Sequence, residues 1–179
     1  NNVTASLNLL NACQRANVGV FIFSSSAAVY GNPKQLPVAE NHPKVPINPY
    51  GRTKLITEWT LHDLAASTKD KADPMRYIAL RYFNVFGPRQ APEGVYAAVI
   101  PQWISAMYEN RSVRINGDGK TSRDFCYIDN VVQANLLAAL GQGAIAHPVY
   151  NIAYGESTDL NTLFALLKSE LRSHGIHYN

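Results

Sequence analysis

Two short apolar runs, residues 20–23 and 77–83, flank a single helical pattern that opens on Asn48 and Pro49, and this order restricts the fold more than any other feature. Both runs are rich in β-branched and aromatic residues, the pattern of a strand covered on its two faces. Asn48 offers an N-cap side chain and Pro49 a residue suited to the first helical position. The spacing then predicts a helix through Leu55, Trp59, Leu61 and Leu64 to about residue 67. Strand, helix and strand in that order make a crossover unit of a parallel α/β sheet.

The remaining elements extend this plan. Val3, Leu7, Leu10 and Cys13 recur at helical spacing over residues 2–16, where Asn17-Val18-Gly19 ends the pattern. Further helices are predicted at 99–108, at 129–140 with Asp129 as cap, and at 158–172. Short strands are predicted at 113–115 and 149–152. The connections 33–49 and 87–94 are long, and long loops in compact domains commonly carry function.

Composition removes several classes of function. A chain of 179 residues with 46% hydrophobic residues can bury a core of its own. Its net charge of +3 comes from 16 Lys and Arg scattered along the chain, which does not make the basic stripe of a nucleic-acid binder. No apolar run reaches the length of a membrane span, so a cytoplasmic protein is expected. Cys13 and Cys126 lack metal-ligand spacing and are too few for a disulfide framework, and the five His are dispersed. No metal site is expected.

The chemistry concentrates where the first strand ends. Residues 24–26 are three serines, and ligands of such sheets bind beyond the carboxyl ends of the strands. Tyr50 and Lys54 follow, four apart on a helix, so their side chains share one face with Cβ atoms about 5–6 Å apart. A phenol ordinarily titrates near pH ~10 and serves as a base at neutral pH only beside positive charge. One cation at about 4 Å is worth roughly 4 kcal/mol at an effective dielectric near 20, before the cost of desolvation. In a chain of ten tyrosines a lone Tyr-x-x-x-Lys is weak. Its place after a capped helix start and a strand ending in hydroxyls gives it weight.

Four ordered segments carry a resemblance: FIFSSSAAVYG (21–31), NPYGRTK (48–54), LRYFNVFGPR (80–89) and INGDGKTSRDFCYIDNV (115–131). Together they resemble the extended short-chain dehydrogenases/reductases of the NAD-dependent epimerase family. The likeness is strongest to bacterial UDP-N-acetylglucosamine 4-epimerases of surface-polysaccharide pathways, through YAAVIPQW (96–103) and the 115–131 segment. It implies an α/β fold: a fragment of a Rossmann-like doubly wound parallel sheet with part of a small C-terminal substrate-binding domain. Residues 1–84 and 126–153 would belong to the NAD-binding domain, and 85–125 and 154–179 to the substrate-binding domain.

The resemblance also assigns roles. It makes Ser26, Tyr50 and Lys54 the catalytic residues, with Lys54 and an oxidised nicotinamide together favouring the Tyr50 anion. Asn1, Ser24, Tyr50, Lys54, Tyr82 and Phe83 would contact NAD. Ser26, Asn84, Ala98, Val99, Arg114, Ile115, Asn116 and Arg123 would contact a UDP-sugar, with Arg123 clamping phosphate; a guanidinium fork suits a diphosphate. Asp124 beside it offers the rival of a surface ion pair. Gly141-x-Gly143-x-x-Ala146 imitates a dinucleotide fingerprint but lacks the strand-turn-helix setting, and Gly117-x-Gly119 reads as a turn.

The implied reaction is interconversion of UDP-N-acetylglucosamine and UDP-N-acetylgalactosamine through a 4-keto intermediate. Related 4,6-dehydratases and decarboxylases need a further carboxyl group just after the catalytic Ser or Thr, where this chain has Ala27 and Ala28. A non-catalytic nucleotide-binding protein is the second alternative, opposed by Ser26, Tyr50 and Lys54 standing together. The family's glycine-rich strand-turn-helix has no counterpart in this sequence, so the chain alone is expected to be inactive. A homodimer through helices 2–16 and 49–67 is expected for the full-length protein.

Overall fold

The structure is a computed structural model describing residues 2–71, 74–94, 97–141 and 148–178. In chain order its elements are α1 (Asn2–Arg15), β1 (Val20–Ser26), a 3-10 turn (Ala27–Tyr30), α2 (Pro49–Thr68), β2 (Arg76–Tyr82), β3 (Asn84–Phe86) and α3 (Val99–Tyr108). They continue with β4 (Ser122–Arg123), β5 (Phe125–Tyr127), α4 (Ile128–Leu140), β6 (Val149–Ile152), β7 (Thr158–Asp159) and α5 (Leu160–Ser173). The chain forms two compact units, Asn1–Phe83 with Asp129–Ile152, and Asn84–Ile128 with Ala153–Asn179.

The first unit is built on a parallel three-stranded sheet in the order β1-β2-β6. Val20 pairs with Arg76 and the register runs to Ser26 opposite Tyr82. β6 joins the other edge of β2, with Ala79 opposite Val149. Alternation along the strands divides the side chains between two faces. Phe21, Phe23, Tyr77 and Ala79 pack with Leu10 of α1 and with Leu61 and Leu64 of α2. Ser24 and Tyr82 point the other way, where Asn135 of α4 meets the Tyr82 hydroxyl at 2.8 Å.

Local chemistry fixes the ends of the helices. α1 ends at Arg15, and the chain turns away at Asn17, whose φ of 52° is left-handed, a conformation Asn tolerates better than most residues. Asn48 caps α2 as its sequence predicts, its Oδ1 accepting the Gly51 N–H at 2.7 Å, with Pro49 at the first helical position. α4 begins at Ile128, so Asp129 lies inside the first turn and is not the cap. The last helix begins at Leu160; Thr158 and Asp159 instead form β7, and the Asp159 carboxylate caps α5 through the Thr162 N–H at 2.8 Å. No helix among the described residues is long and apolar enough to cross a membrane.

The second unit joins a parallel pair, β3-β5, to an antiparallel pair, β4-β7. Ile100 and Trp103 of α3 meet Leu163 of α5 in its core, with Phe86, Phe125 and Phe164 around them. The predicted strand at 113–115 is absent. Val113 gives its N–H to the Tyr178 hydroxyl at 3.1 Å instead of to a neighbouring strand, and Val113 and Ile115 pack against the core from a segment without regular secondary structure.

Candidate active site

In the first unit, β1 and the N-terminal turn of α2 bring the predicted catalytic side chains to one end of the sheet. Ser26 closes β1 and caps the 3-10 turn, its Oγ accepting the Ala28 N–H at 3.2 Å. That bond occupies a lone pair and leaves the hydroxyl proton free for another acceptor. α2 is held against this turn because Gly51 is buried where any Cβ would overlap the Ala28 carbonyl oxygen. Tyr50, the residue before it, remains 49% exposed.

One helical turn on, the Lys54 ammonium donates to the Ser24 carbonyl at 2.8 Å. It stands 5.6 Å from the centre of the Tyr50 ring and 5.0 Å from that of Phe23. Burial pulls the Lys54 amine below its ordinary range. Ser24 shares a 3.2 Å hydrogen bond with the Tyr82 hydroxyl, so both lie with Lys54 around the end of β1. Phe83 is different: it packs with Val29, Tyr30 and Leu55 in an apolar cluster. Asn1 lies outside the described residues, as does most of the Gly141–Ala146 pattern.

The second unit holds a cleft of about 380 Å³. Asn84, Ala98, Val99, Arg114, Asn116 and Arg123 all line it, over a floor that includes Trp103 and Phe125. Asn84 Nδ2 and its own N–H both donate to the Asp124 carbonyl at 3.1 Å, which leaves the side-chain oxygen unengaged there. Arg123 Nη1 donates to the Ser122 carbonyl at 2.8 Å. Arg123 and Asp124 form no ion pair; the two Asp124 carboxylate oxygens accept the N–H groups of Tyr154 and Gly155, each at 2.8 Å. The Ile115 side chain is not part of that lining. Arg114 and Asn116 line the cleft, whereas Val113 and Ile115 pack against the core.

The profile of the NAD dependent epimerase/dehydratase family matches residues 1–153. The chain belongs to that family. A UDP-glucose 4-epimerase of Lactobacillus helveticus is 40% identical over 153 residues, covering 77% of this chain and 44% of that protein. The structure of the UDP-N-acetylglucosamine 4-epimerase of Methanobrevibacter ruminantium M1, solved with UDP-N-acetylmuramic acid, superposes with a TM-score of 0.87. It is 40% identical and covers 99% of this chain and 55% of that one. The Bacillus cereus UDP-glucuronic acid 4-epimerase, solved with UDP-glucuronic acid and NAD, gives a TM-score of 0.83 at 31% identity, covering all of this chain and 54% of that one. The chain spans about half the length of the curated relatives it matches.

In this member of the epimerase/dehydratase family, reasoning from sequence missed a buried polar network beneath Ser26 and Lys54. Arg81 and Glu58, 2% and 6% exposed at their side chains, pair through two hydrogen bonds of 3.0 and 2.6 Å. Ser25 donates to the same Glu58 carboxylate, and Arg81 also donates to the Tyr30 hydroxyl at 2.7 Å. A signal was present in the sequence: Arg81 interrupts an apolar strand, and a charge within a buried run needs a partner. Asn135, which holds the Tyr82 hydroxyl, was missed for want of any such signal.

Proposed function

We propose that the complete protein is an NAD-dependent 4-epimerase of UDP-hexoses, interconverting UDP-N-acetylglucosamine and UDP-N-acetylgalactosamine through a 4-keto sugar. The carrying observation is the half-exposed Tyr50 phenol one helical turn from the Lys54 ammonium, where β1 ends in Ser26. In this reading Tyr50 takes the proton of the sugar O4 and later returns it. Positive charge beside a phenol favours its anion, which is the contribution of Lys54. Ser26, with its hydroxyl proton free, donates a hydrogen bond to the same oxygen.

The donor set at the end of β1 fits the ribose and nicotinamide end of a dinucleotide, since it offers an ammonium, the exposed Ser24 hydroxyl and the Tyr50 phenol. When bound there, NAD supplies reversible hydride acceptance at C4. The second unit's cleft is assigned to the uridine diphosphate. Arg123 and Arg114 provide charge for phosphate oxygens, and Asn84 provides the second N–H of its side-chain amide. Resemblance to enzymes of surface-polysaccharide synthesis supports a cytoplasmic site of action and a homodimer.

Ala27 and Ala28 favour epimerisation over elimination or decarboxylation, because methyl groups cannot carry the additional proton those reactions require. The test is to incubate the purified complete protein with NAD and, separately, UDP-N-acetylglucosamine and UDP-glucose, then to resolve the products. The C4 epimer of the acetylated sugar is expected as the main product. A 4-keto-6-deoxy product, or turnover of UDP-glucose alone, would overturn the assignment.

A further inference from the structure

The buried network around Arg81 joins each segment that carries a reacting group. Glu58 lies on the same row of α2 as Tyr50 and Lys54, at successive intervals of four residues. Ser25 is the neighbour of Ser26 in β1, and Tyr30 ends the 3-10 turn that Ser26 caps. Arg81, in the central strand β2, holds all three: Glu58 by a two-bond fork, Tyr30 directly, and Ser25 through the shared carboxylate. Its Nη1 also donates to the Glu40 carbonyl at 2.9 Å. The Tyr30 hydroxyl donates a hydrogen bond to Asn151 Oδ1 at 2.6 Å, and Asn151 Nδ2 donates to the Val38 carbonyl at 2.8 Å.

Two physical arguments separate this arrangement from ordinary packing. A buried ion pair is on average no more stabilising than apolar residues of the same shape, so its consequence lies in geometry, here four fixed donor directions from one planar group. The charge state is also secure. Burial opposes the Arg81 charge, but the Glu58 carboxylate and the Tyr30 hydroxyl outweigh it and hold the guanidinium above its ordinary range. Burial likewise pushes the Tyr30 phenol up and keeps it protonated as a donor.

We propose that Arg81 and Glu58 are positioning residues for the reaction, fixing the Ser26 hydroxyl at the end of β1 relative to Tyr50 and Lys54 on α2. This rests on the catalytic reading given above. Neither residue touches substrate in this account. Their effect is on the rate of the chemical step and not on affinity for the UDP-sugar, because the uridine diphosphate is assigned to the other unit.

The test uses the complete protein with Glu58→Gln, Arg81→Lys and Tyr30→Phe. For Glu58→Gln and Arg81→Lys, kcat is expected to fall about 10- to 100-fold, the scale of a small misplacement of reacting groups, with KM for the UDP-sugar within about twofold. Tyr30→Phe, which removes one hydroxyl and keeps the ion pair, is expected to lower kcat about three- to tenfold, also without a change in KM. A merely structural role would instead lower thermal stability and leave kcat at low temperature unchanged, and that result would overturn the proposal. If Glu58→Gln and Arg81→Lys do not fold, Tyr30→Phe decides by the same split. Tyr50→Phe assayed beside them separates two failures. Turnover by Tyr50→Phe sinks the catalytic reading itself, whereas an inactive Tyr50→Phe beside fully active Glu58→Gln and Tyr30→Phe sinks the positioning role alone.

Discussion

The Lys54 ammonium donates a 2.8 Å hydrogen bond to the backbone oxygen of Ser24, two residues before the serine that ends β1. A strand carbonyl therefore sets the position of the cation next to Tyr50. Lys54→Met removes that cation, and in the complete protein kcat is expected to fall by at least about 100-fold, the scale of lost acid-base assistance.

The same substitution carries a pH signature. Burial depresses the Lys54 pKa below its ordinary 10.5, so between the folded and unfolded values the unfolded chain binds the extra proton. The stability this group contributes is present above about 10.5 and is lost as pH falls through the folded value. Denaturant titrations of wild type and Lys54→Met from neutral to alkaline pH should show wild type gaining on the variant as pH rises through that window. A difference independent of pH would contradict the burial of the amine.

Gly51 sets how closely α2 approaches the 3-10 turn. A Cβ there would overlap the Ala28 carbonyl oxygen, and neither backbone segment can rotate aside as a side chain could. Gly51→Ala is expected to cost about 1–3 kcal/mol of stability, the usual range for overpacking. Because the strain separates Tyr50 from Ser26, kcat should drop as well. Thermal melts and steady-state rates on the one variant check both outcomes.

Arg123 lines the cleft of the second unit, to which the uridine diphosphate is assigned. Arg123→Met should raise KM for the UDP-sugar about 10- to 100-fold, matching loss of a charge-assisted contact worth roughly 1.5–3 kcal/mol. kcat should stay within about threefold, since binding shared by ground and transition states affects KM alone. Calorimetric titration with UDP gives an independent readout of the same loss.

Features written in local chemistry were legible from the sequence. The Asn48-Pro49 start of α2 needs only its own cap, and Tyr50 and Lys54 share a face through helix geometry alone. The strand predicted at 113–115 failed because a β-rich triplet becomes a strand only beside a free edge, and the Val113 N–H finds a tyrosine 65 residues away instead. Ile115 is expected to contact the UDP-sugar because its neighbours in the motif do, yet its side chain packs against the core while theirs line the cleft. Arg81 was visible as a charge in an apolar run. Its partner Glu58, 23 residues earlier, was not, because only the folded sheet brings the two together.

The most direct measurement is the fate of C4 when the phenol is removed. The complete protein carrying Tyr50→Phe, supplied with NAD and UDP-N-acetylglucosamine, should bind the nucleotide-sugar as wild type does yet form no C4 epimer. Epimer formation at a rate near that of wild type would contradict the role given to Tyr50, and with it the enzyme described here.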